Sequence, residues 1–266
     1  MDVDTYLRRI GVDRPEPPTA AALRRLHRRH LETVPFENLD IPLGRPLALA
    51  PEALYEKIVE RRRGGFCYEL NGLFCWLLGE LGYDVQRLAA AVYGDDGPGQ
   101  PFAHMLLKVE LATPWIADVG FGDSFLVPLP LSEGERGDGQ ADYRLSADGA
   151  AWVMTRRTPD ADWQAQYRFD TTPREVAAFG PMCRYQQTAP DSAFTGRSVC
   201  SRATPDGRVT FANGRLIVTR QGRREERAVP DSTACRALLR EHFGVELDAT
   251  DPIERLLDPA GTRASA

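Results

Sequence analysis

The N-terminal part of the chain has apolar side chains spaced three and four positions apart, as on one face of an α-helix. The pattern is clearest from Cys67 onward and ends at Gly82, a residue type that commonly terminates helices. Thr19 is a candidate N-cap for an earlier helix. We therefore predict a helical bundle over residues 1–82, with a proline-rich linker at 15–18.

The pattern then changes from helical spacing to the alternation of β-strands. Strand-like runs at 85–93, 103–111 and 115–121 are separated by turns rich in glycine, aspartate and proline. Shorter runs of the same kind follow. These runs predict a central antiparallel sheet or barrel over residues 83–185.

The remaining segments mix both patterns. We expect a helix at 171–179, a long mixed segment at 180–196, and a helix from about 231 to 242. Residues 186–266 are predicted to form an α/β lid, whose last residues, 261–266, should fray. The predicted fold class is α+β, with a helical bundle, a central antiparallel β-barrel-like domain and a C-terminal α/β lid.

Composition narrows the possible partners of this chain. Its 266 residues are 42% hydrophobic, enough for a substantial core, and its net charge of −5 argues against a nucleic-acid partner. No stretch approaches the roughly 20 apolar residues of a membrane helix, and the N-terminus lacks the apolar core of a signal peptide. We expect a cytoplasmic protein that binds neither nucleic acid nor membrane.

The five cysteines are isolated from one another, without any C-x-x-C pair, so neither a disulfide framework nor a metal site is predicted. Cys67 differs from the others because it follows a glycine pair and opens a helix. Unpaired N–H groups and the helix dipole favour a thiolate there. Gly64 and Gly65 would let a substrate carbonyl approach closely. Cys67 is therefore a candidate nucleophile; the alternative is a small buried core residue.

A nucleophilic cysteine requires a base that a carboxylate orients. Among the four histidines, His27, His30 and His242 lie in helical patterns and are interpreted as structural or solvent-facing. His104 instead opens a strand after a loop. Asp118 interrupts the next apolar strand, which would form a hairpin with the first. A buried carboxylate needs a partner, and a histidine on the neighbouring strand is the natural one.

The spacing of these candidates limits the class of enzyme. His104 follows Cys67 by 37 positions, and Asp118 follows His104 by 14. Papain-like proteases have their histidine about 130 residues or more beyond the cysteine. The spacing therefore disfavours a plain papain architecture.

Several strings of residues, in this order and spacing, closely resemble the arylamine N-acetyltransferase family. The strings are V-P-F-E-N-L at 34–39, R-G-G-F-C-Y-E-L-N-G at 63–72, A-D-V-G-F-G at 117–122 and, more weakly, P-D-S-A-F at 190–194 and G-R-L-I-V at 214–218. The resemblance covers nearly the whole chain. It also sets Arg63 apart from the run at 61–63, which by itself reads as a solvated helix end.

The resemblance implies a catalytic triad of Cys67, His104 and Asp118 in a fold related to transglutaminases and cysteine proteases. It also implies a two-step reaction. Acetyl-CoA, the co-substrate, would acetylate the cysteine, and the acetyl group would then pass to an aromatic amine, hydrazine or hydroxylamine. No metal is implied.

The resemblance further implies an apolar slot for the aromatic acceptor, formed by Phe36, Val92, Phe121 and Phe194. The alternative for each is ordinary core packing, and Val92 is assigned only through the alignment of its strand. The segment at 34–39 is expected to be a turn that exposes its aromatic residue.

Two glycines are candidates for binding CoA. A glycine-flanked turn after a strand can offer backbone N–H groups to phosphate, and we expect Gly120 and Gly122 to help hold the CoA pyrophosphate.

Three other functions remain open from the sequence. One is an amide synthase of the same family, in an ansamycin-type antibiotic pathway. Another is a hydrolase or transglutaminase-like enzyme that uses the same triad with water or lysine as acceptor. The last is a small-molecule binding protein on a decayed enzyme fold, which an intact triad disfavours.

Overall fold

The computed structural model describes residues 1–14, 17–159 and 161–259. The predicted linker at 15–18 lies partly, and the predicted fraying tail at 261–266 wholly, outside the described residues.

Helices dominate the N-terminal part, as predicted. They are α1 (Val3–Ile10), α2 (Ala20–Thr33), α3 (Pro51–Tyr55), which continues into a π-helical turn at Glu56–Glu60, and α4 (Cys67–Glu80), with one short strand, β1 (Phe36–Glu37), between α2 and α3. The Thr19 side chain accepts a hydrogen bond from the Ala22 N–H and caps α2. Helix α4 packs against α3 on one side and against the large sheet on the other, so nearly all of its side chains are buried.

The central part of the chain forms one large antiparallel, barrel-like sheet, so the predicted α+β fold class is confirmed. Its strands are β2 (Asp84–Gly94), β3 (Gly97–Pro98), β4 (His104–Glu110), β5 (Trp115–Ala117), β6 (Leu129–Pro130), β7 (Gly134–Gly137), β8 (Asp142–Asp148), β9 (Ala151–Arg157) and β10 (Gln164–Asp170). Their order is β6-β5-β4-β2-β10-β9-β8-β7, and β3 pairs with β2. Strands β4 and β5 form the predicted hairpin.

A second sheet forms the C-terminal part together with three helices. The elements are α5 (Gly180–Thr188), β11 (Val199–Thr204), β12 (Gly207–Ala212), β13 (Arg215–Arg220), β14 (Arg223–Ala228), α6 (Ser232–Phe243) and α7 (Glu254–Leu257). The sheet order is β1-β11-β12-β13-β14, so the N-terminal strand β1 completes it. The division at 1–82, 83–185 and 186–266 stays a prediction.

The segment at 34–39 is not the exposed turn that we expected. Phe36 and Glu37 pair with β11, and the Glu37 N–H also donates to the Gly65 carbonyl at 2.8 Å. These backbone bonds hold the segment extended between two neighbours, and Phe36 is half-buried as a result.

The third predicted strand, at 115–121, ends early at Ala117. The Asp118 N–H donates to the His27 ring instead of to a neighbouring strand, and the chain turns into a loop. This early end brings Asp118 next to the start of β4.

The helix expected at 171–179 is only a short 3-10 turn at Val176–Phe179, and α5 follows it directly. The Arg174 N–H donates to the Arg87 carbonyl at 2.8 Å, which ties the preceding residues to β2 in an extended form. In the described part of the chain, no helix is both long and apolar enough to cross a bilayer.

Candidate active site

Cys67 is the first residue of α4, as the sequence predicted. Phe66 before it is extended, and its N–H donates to the Glu69 carboxylate at 3.1 Å. The Phe66 carbonyl accepts from the N–H groups of Glu69 and Leu70, which closes the first turn. The Cys67 side chain is buried. The thiol therefore lies at the N-terminal end of a buried central helix.

The two glycines at 64 and 65 allow close packing within the protein. A Cβ on Gly64 would collide with the Pro35 carbonyl, and one on Gly65 would lie 2.7 Å from the Glu69 Cβ. Their lack of a side chain therefore lets the backbone and a buried glutamate pack closely. That they also let a substrate carbonyl approach stays a prediction.

His104 and Asp118 form a buried pair beside Cys67. His104 begins β4, Asp118 follows β5, and the His104 Nε2 atom lies 2.7 Å from Asp118 Oδ2. Both side chains are fully buried. Burial alone would lower the pKa of His104, but the charge and hydrogen bond of Asp118, together with Cys67, raise the pKa to about 10. The buried pair is therefore stable as imidazolium and carboxylate.

The imidazole connects the carboxylate to the thiol. The Cys67 side chain raises the pKa of His104 through a hydrogen bond and its charge, which indicates that the thiol lies beside the imidazole. Because Nε2 is bonded to Asp118, Nδ1 is the ring nitrogen left for the sulfur. The structure thus brings Cys67, His104 and Asp118 together in the order predicted from the sequence.

Asn71, which we did not predict as a site residue, fixes the Asp118 carboxylate. Its Nδ2 donates to Asp118 Oδ1 at 2.9 Å and to the Met105 carbonyl at 2.7 Å, and its Oδ1 accepts from the Val119 N–H. Burial would raise the pKa of Asp118, but His104, Asn71 and the Gly120 N–H lower it below its usual value. Asn71 lies one helical turn after Cys67 in the C-Y-E-L-N-G string. That spacing places it on the same side of the helix as Cys67, and it is the feature of the sequence from which Asn71 could have been predicted.

His27 lies on the backbone side of Asp118. Its Nε2 accepts from the Asp118 N–H at 3.0 Å, and its Nδ1 lies 3.1 Å from the Leu126 carbonyl oxygen. Burial lowers the pKa of His27 to about 4, against smaller opposing effects of the Leu126 carbonyl and Asp118. Of the two interpretations of His27, structural and solvent-facing, the structure supports the structural one.

Aromatic side chains line the other face of His104. The ring centroids of Phe121 and Tyr167 lie 5.1 and 5.3 Å from that of His104, and 5.1 Å from each other. Val92 is paired with Tyr167 across β2 and β10, so its side chain lies on the same face of the sheet. Burial, with the nearby Asp118 carboxylate, raises the pKa of Tyr167 well above its usual value and keeps the phenol neutral.

Two further predicted acceptor-binding residues pack near Cys67. Phe36 and Phe194 are half-buried and adjoin the cluster of side chains that contains the cysteine. Their ring centroids are 6.4 Å apart, and Phe194 also makes an edge contact with Phe66. The Asn38 side chain donates to the Phe194 and Arg197 carbonyls and so holds the segment that contains Phe194. All four predicted acceptor-binding residues therefore lie near the cysteine or the histidine.

The two glycines predicted to bind CoA are packed against the site itself. A Cβ on Gly120 would lie 2.7 Å from the Cys67 Cα, and the Gly120 N–H donates to Asp118. Gly122 has a left-handed φ of +94°, and a Cβ there would press on the Phe36 ring at 3.3 Å. Only Gly122 has an N–H group that is not already bonded to the Asp118 carboxylate.

A buried network of charges joins the V-P-F-E-N-L segment to α4. Arg63 binds Glu37 through two nitrogens and also Asp40, and Lys57 lies 2.7 Å from Asp40 and 2.8 Å from Glu69. Arg61 and Arg62 are exposed, as expected of a solvated helix end, whereas Arg63 is 2% exposed. Each buried charge has an opposite partner, so the network fixes the turn that precedes Cys67.

A cysteine at a helix start beside a buried histidine–aspartate pair is suited to nucleophilic acyl transfer. Comparison with known proteins identifies the family to which this chain is similar. Residues 19–252 match the family model described as N-acetyltransferase. The arylamine N-acetyltransferase of Mycolicibacterium smegmatis is 34% identical over 256 residues, which cover 93% of each chain.

Solved structures agree with the sequence comparison. The structure of the arylamine N-acetyltransferase from M. tuberculosis has a TM-score of 0.90 at 34% identity, covering 98% of this chain and all of that chain. The Mycobacterium marinum arylamine N-acetyltransferase in complex with CoA has a TM-score of 0.88 at 33% identity, covering 97% and 99%. The chain belongs to the arylamine N-acetyltransferase family. The predicted family and enzyme class are confirmed, and the amide synthase and hydrolase alternatives are not favoured.

Proposed function

We propose that this protein transfers an acetyl group from acetyl-CoA to an aromatic amine, hydrazine or hydroxylamine, with Cys67 as nucleophile. The observation that supports this most directly is the 2.7 Å pair of His104 and Asp118 beside the thiol at the start of α4. His104 acts as acid and base, and Asp118 holds the ring in orientation.

In the first step the Cys67 thiolate attacks the thioester carbonyl of acetyl-CoA. A new carbon–sulfur bond forms, the bond to the CoA sulfur breaks, and His104 supplies a proton to the leaving thiolate. The Cys67 backbone N–H, in the first turn of α4, is the proposed donor to the oxyanion.

In the second step the acceptor nitrogen attacks the acetyl-cysteine. His104, now neutral, takes the proton from the nitrogen as the amide forms, and Cys67 leaves as thiolate. Aromatic amines are weak bases and arrive uncharged, which suits the apolar walls of the site.

We assign the acceptor slot to Phe36, Val92, Phe121 and Phe194. The support is their position: Phe121 packs on His104, Val92 shares the face of Tyr167, and the other two adjoin the Cys67 cluster. Flat apolar rings bind well between such side chains.

CoA is proposed to bind beside Gly122. Arg208 on β12 donates to the Gly122 carbonyl and to Ser201, and it shares the Asp123 carboxylate with Arg156. Two guanidinium groups against one carboxylate leave a net positive charge, which favours the CoA phosphates. The CoA complex of the M. marinum relative supports use of the same co-substrate. Gly120, whose N–H is bonded to Asp118, would contribute only through its close packing.

A nucleophilic thiol must stay reduced, so we also propose a cytoplasmic location.

The experiment is intact-protein mass spectrometry after brief mixing with acetyl-CoA alone, followed by an aromatic hydrazine. We expect one acetyl group on the wild-type protein, discharged by the hydrazine, and none on Cys67→Ala. Cys75→Ala is the matched control, because Cys75 is a second buried thiol on α4. No acetylation of the wild type, or persistent acetylation of Cys67→Ala, would contradict the proposal.

A further inference from the structure

We infer that His27 is a positioning residue for the reaction: a neutral ring on α2 that holds both ends of the loop from Asp118 to Leu126. The inference rests on the proposed triad. The loop contains Asp118 at its start and Phe121 within it, so its position decides both the orientation of His104 and one wall of the acceptor slot.

The hydrogen bonds of His27 allow only one form of its ring. A backbone carbonyl can only accept, so the Nδ1 atom facing Leu126 must have a hydrogen. A backbone N–H can only donate, so the Nε2 atom facing Asp118 must have a free lone pair. The ring is therefore the neutral Nδ1–H tautomer. A second proton on Nε2 would point at the Asp118 N–H and break the contact.

In the described part of the chain, the Asp118 N–H is bonded to the His27 ring and not to a neighbouring strand. Strand β5 ends at Ala117, and the Asp118 N–H has no ladder partner. His27 supplies the missing acceptor from a residue 91 positions away in the sequence. A buried N–H without an acceptor is costly, so the ring determines where the strand ends and where the carboxylate begins.

The packing around His27 keeps the ring in place. It is fully buried, stacked on Phe125 at a centroid distance of 5.6 Å and an interplanar angle of 12°, and met edge-on by Phe74. Phe125 lies within the same loop. The loop is thus attached to α2 by two hydrogen bonds and one ring stack.

The test compares three variants with the wild type. His27→Leu removes both hydrogen bonds. His27→Gln keeps an acceptor and a donor on one side chain. His30→Leu is the matched control, because His30 is equally buried on the same helix but bonds Tyr6 and not the loop. For each protein we would measure thermal stability, the rate of Cys67 acetylation by acetyl-CoA, and the pH dependence of Cys67 alkylation by iodoacetamide.

We expect His27→Leu to acetylate Cys67 about 10- to 100-fold more slowly than the wild type, because a displaced catalytic group loses rate steeply with distance. Its alkylation profile should shift in pH, since a loosened Asp118 no longer holds the charge on His104. His27→Gln should recover most of the rate. His30→Leu should lose stability but keep the wild-type rate and pH profile.

Equal rates and pH profiles for His27→Leu and the wild type would overturn the inference while leaving the triad intact. A wild type that is never acetylated would instead overturn the proposed function. If His27→Leu does not fold, the scalar coupling between the Asp118 N–H and His27 Nε2 decides in the wild type by NMR. Its presence supports the inference, and its absence overturns it.

Discussion

Two buried histidines lie on the two sides of Asp118, and they differ in charge: His104 is an imidazolium, whereas His27 is neutral. On the carboxylate side, His104 is 2% exposed and its pKa is raised to about 10. On the backbone side, His27 is 0% exposed and its pKa is lowered to about 4. The two rings differ little in burial, and both lie against the same residue.

The difference comes from the atom that each ring meets. His104 faces a carboxylate, which stabilises an imidazolium, whereas His27 faces an N–H group and a carbonyl, which together accommodate only a neutral ring. Burial by itself therefore does not determine whether a histidine is charged in this protein. The charge of each histidine is determined by whether its hydrogen-bond partners donate or accept, and this differs between the two sides of Asp118.

The largest effect is expected from His104→Gln. Glutamine retains a hydrogen-bonding amide but cannot accept and return a proton. We expect turnover of an arylamine to fall about 10³- to 10⁴-fold, near the upper range for loss of a general base. Steady-state kinetics with acetyl-CoA and an aromatic amine would measure this. His27→Gln is the paired variant, and a loss as large as that of His104→Gln would contradict the distinction between the two sides.

A somewhat smaller loss is expected from Asp118→Asn, which removes the charge but keeps the N–H that donates to His27. Turnover should fall about 10²- to 10³-fold, because the ring loses its orientation and its stabilising charge. Without the carboxylate the pKa of His104 should fall. As the pH rises, the imidazolium should therefore lose its proton at a lower pH than in the wild type.

The alkylation of Cys67 by iodoacetamide, followed against pH, would report this shift. An unchanged profile in Asp118→Asn would mean that the carboxylate does not hold the charge on His104.

The two histidines should also give opposite pH dependences of folding stability. The pKa of His27 is lowered on folding from the ordinary 6.5 to about 4, so its contribution is present above pH 6.5 and is lost as the pH falls through about 4. The change is on the order of 3 kcal/mol in the free energy of unfolding. For His104, whose pKa is raised on folding, the contribution is present below pH 6.5 and is lost as the pH rises through about 10.

Denaturant unfolding of the wild type, His27→Gln and His104→Gln across this pH range would test the signs. The stability difference between wild type and His27→Gln should shrink toward acid, and that between wild type and His104→Gln should shrink toward alkali. Parallel profiles for the two variants would contradict the assignment.

The smallest effect is expected from replacing the phenylalanine that packs on each histidine with leucine. Phe121→Leu should raise the KM for an aromatic amine by about 3- to 10-fold, the loss of one ring contact of roughly 1 kcal/mol. Cys67 acetylation should stay near the wild-type rate. Phe125→Leu alters the ring stacked on His27 and should lower stability with little change in KM. Equal KM changes in the two variants would remove Phe121 from the acceptor slot.

The sequence predicted the elements that depend on local pattern. Apolar spacing placed the start of α4 at Cys67, and alternation predicted the hairpin that brings His104 toward Asp118. The glycine pair and helix start indicated Cys67 among five cysteines, and the strand after a loop indicated His104 among four histidines. The family motifs then matched both choices. Local pattern also misplaced the end of the strand predicted at 115–121, because the apolar run continues past Ala117, where the strand ends.

The contacts that support Asp118 could not be predicted from the sequence, because they join segments that are far apart in the chain. His27 meets Asp118 across 91 positions, and Asn71 meets it across 47. The Arg63–Glu37 pair links two motifs that the sequence shows only as separate strings. Helical periodicity predicts that His27 can be buried, but it does not indicate which backbone groups the ring will meet.

The charge difference between the two histidines is tested most directly by an NMR titration of the histidine side chains in ¹⁵N-labelled protein, with His27→Gln and His104→Gln used for assignment. We predict that near neutral pH His104 is an imidazolium with both ring nitrogens protonated, while His27 is the neutral Nδ1–H tautomer. A neutral His104 at that pH, or two rings that titrate together near the ordinary histidine value, would contradict it.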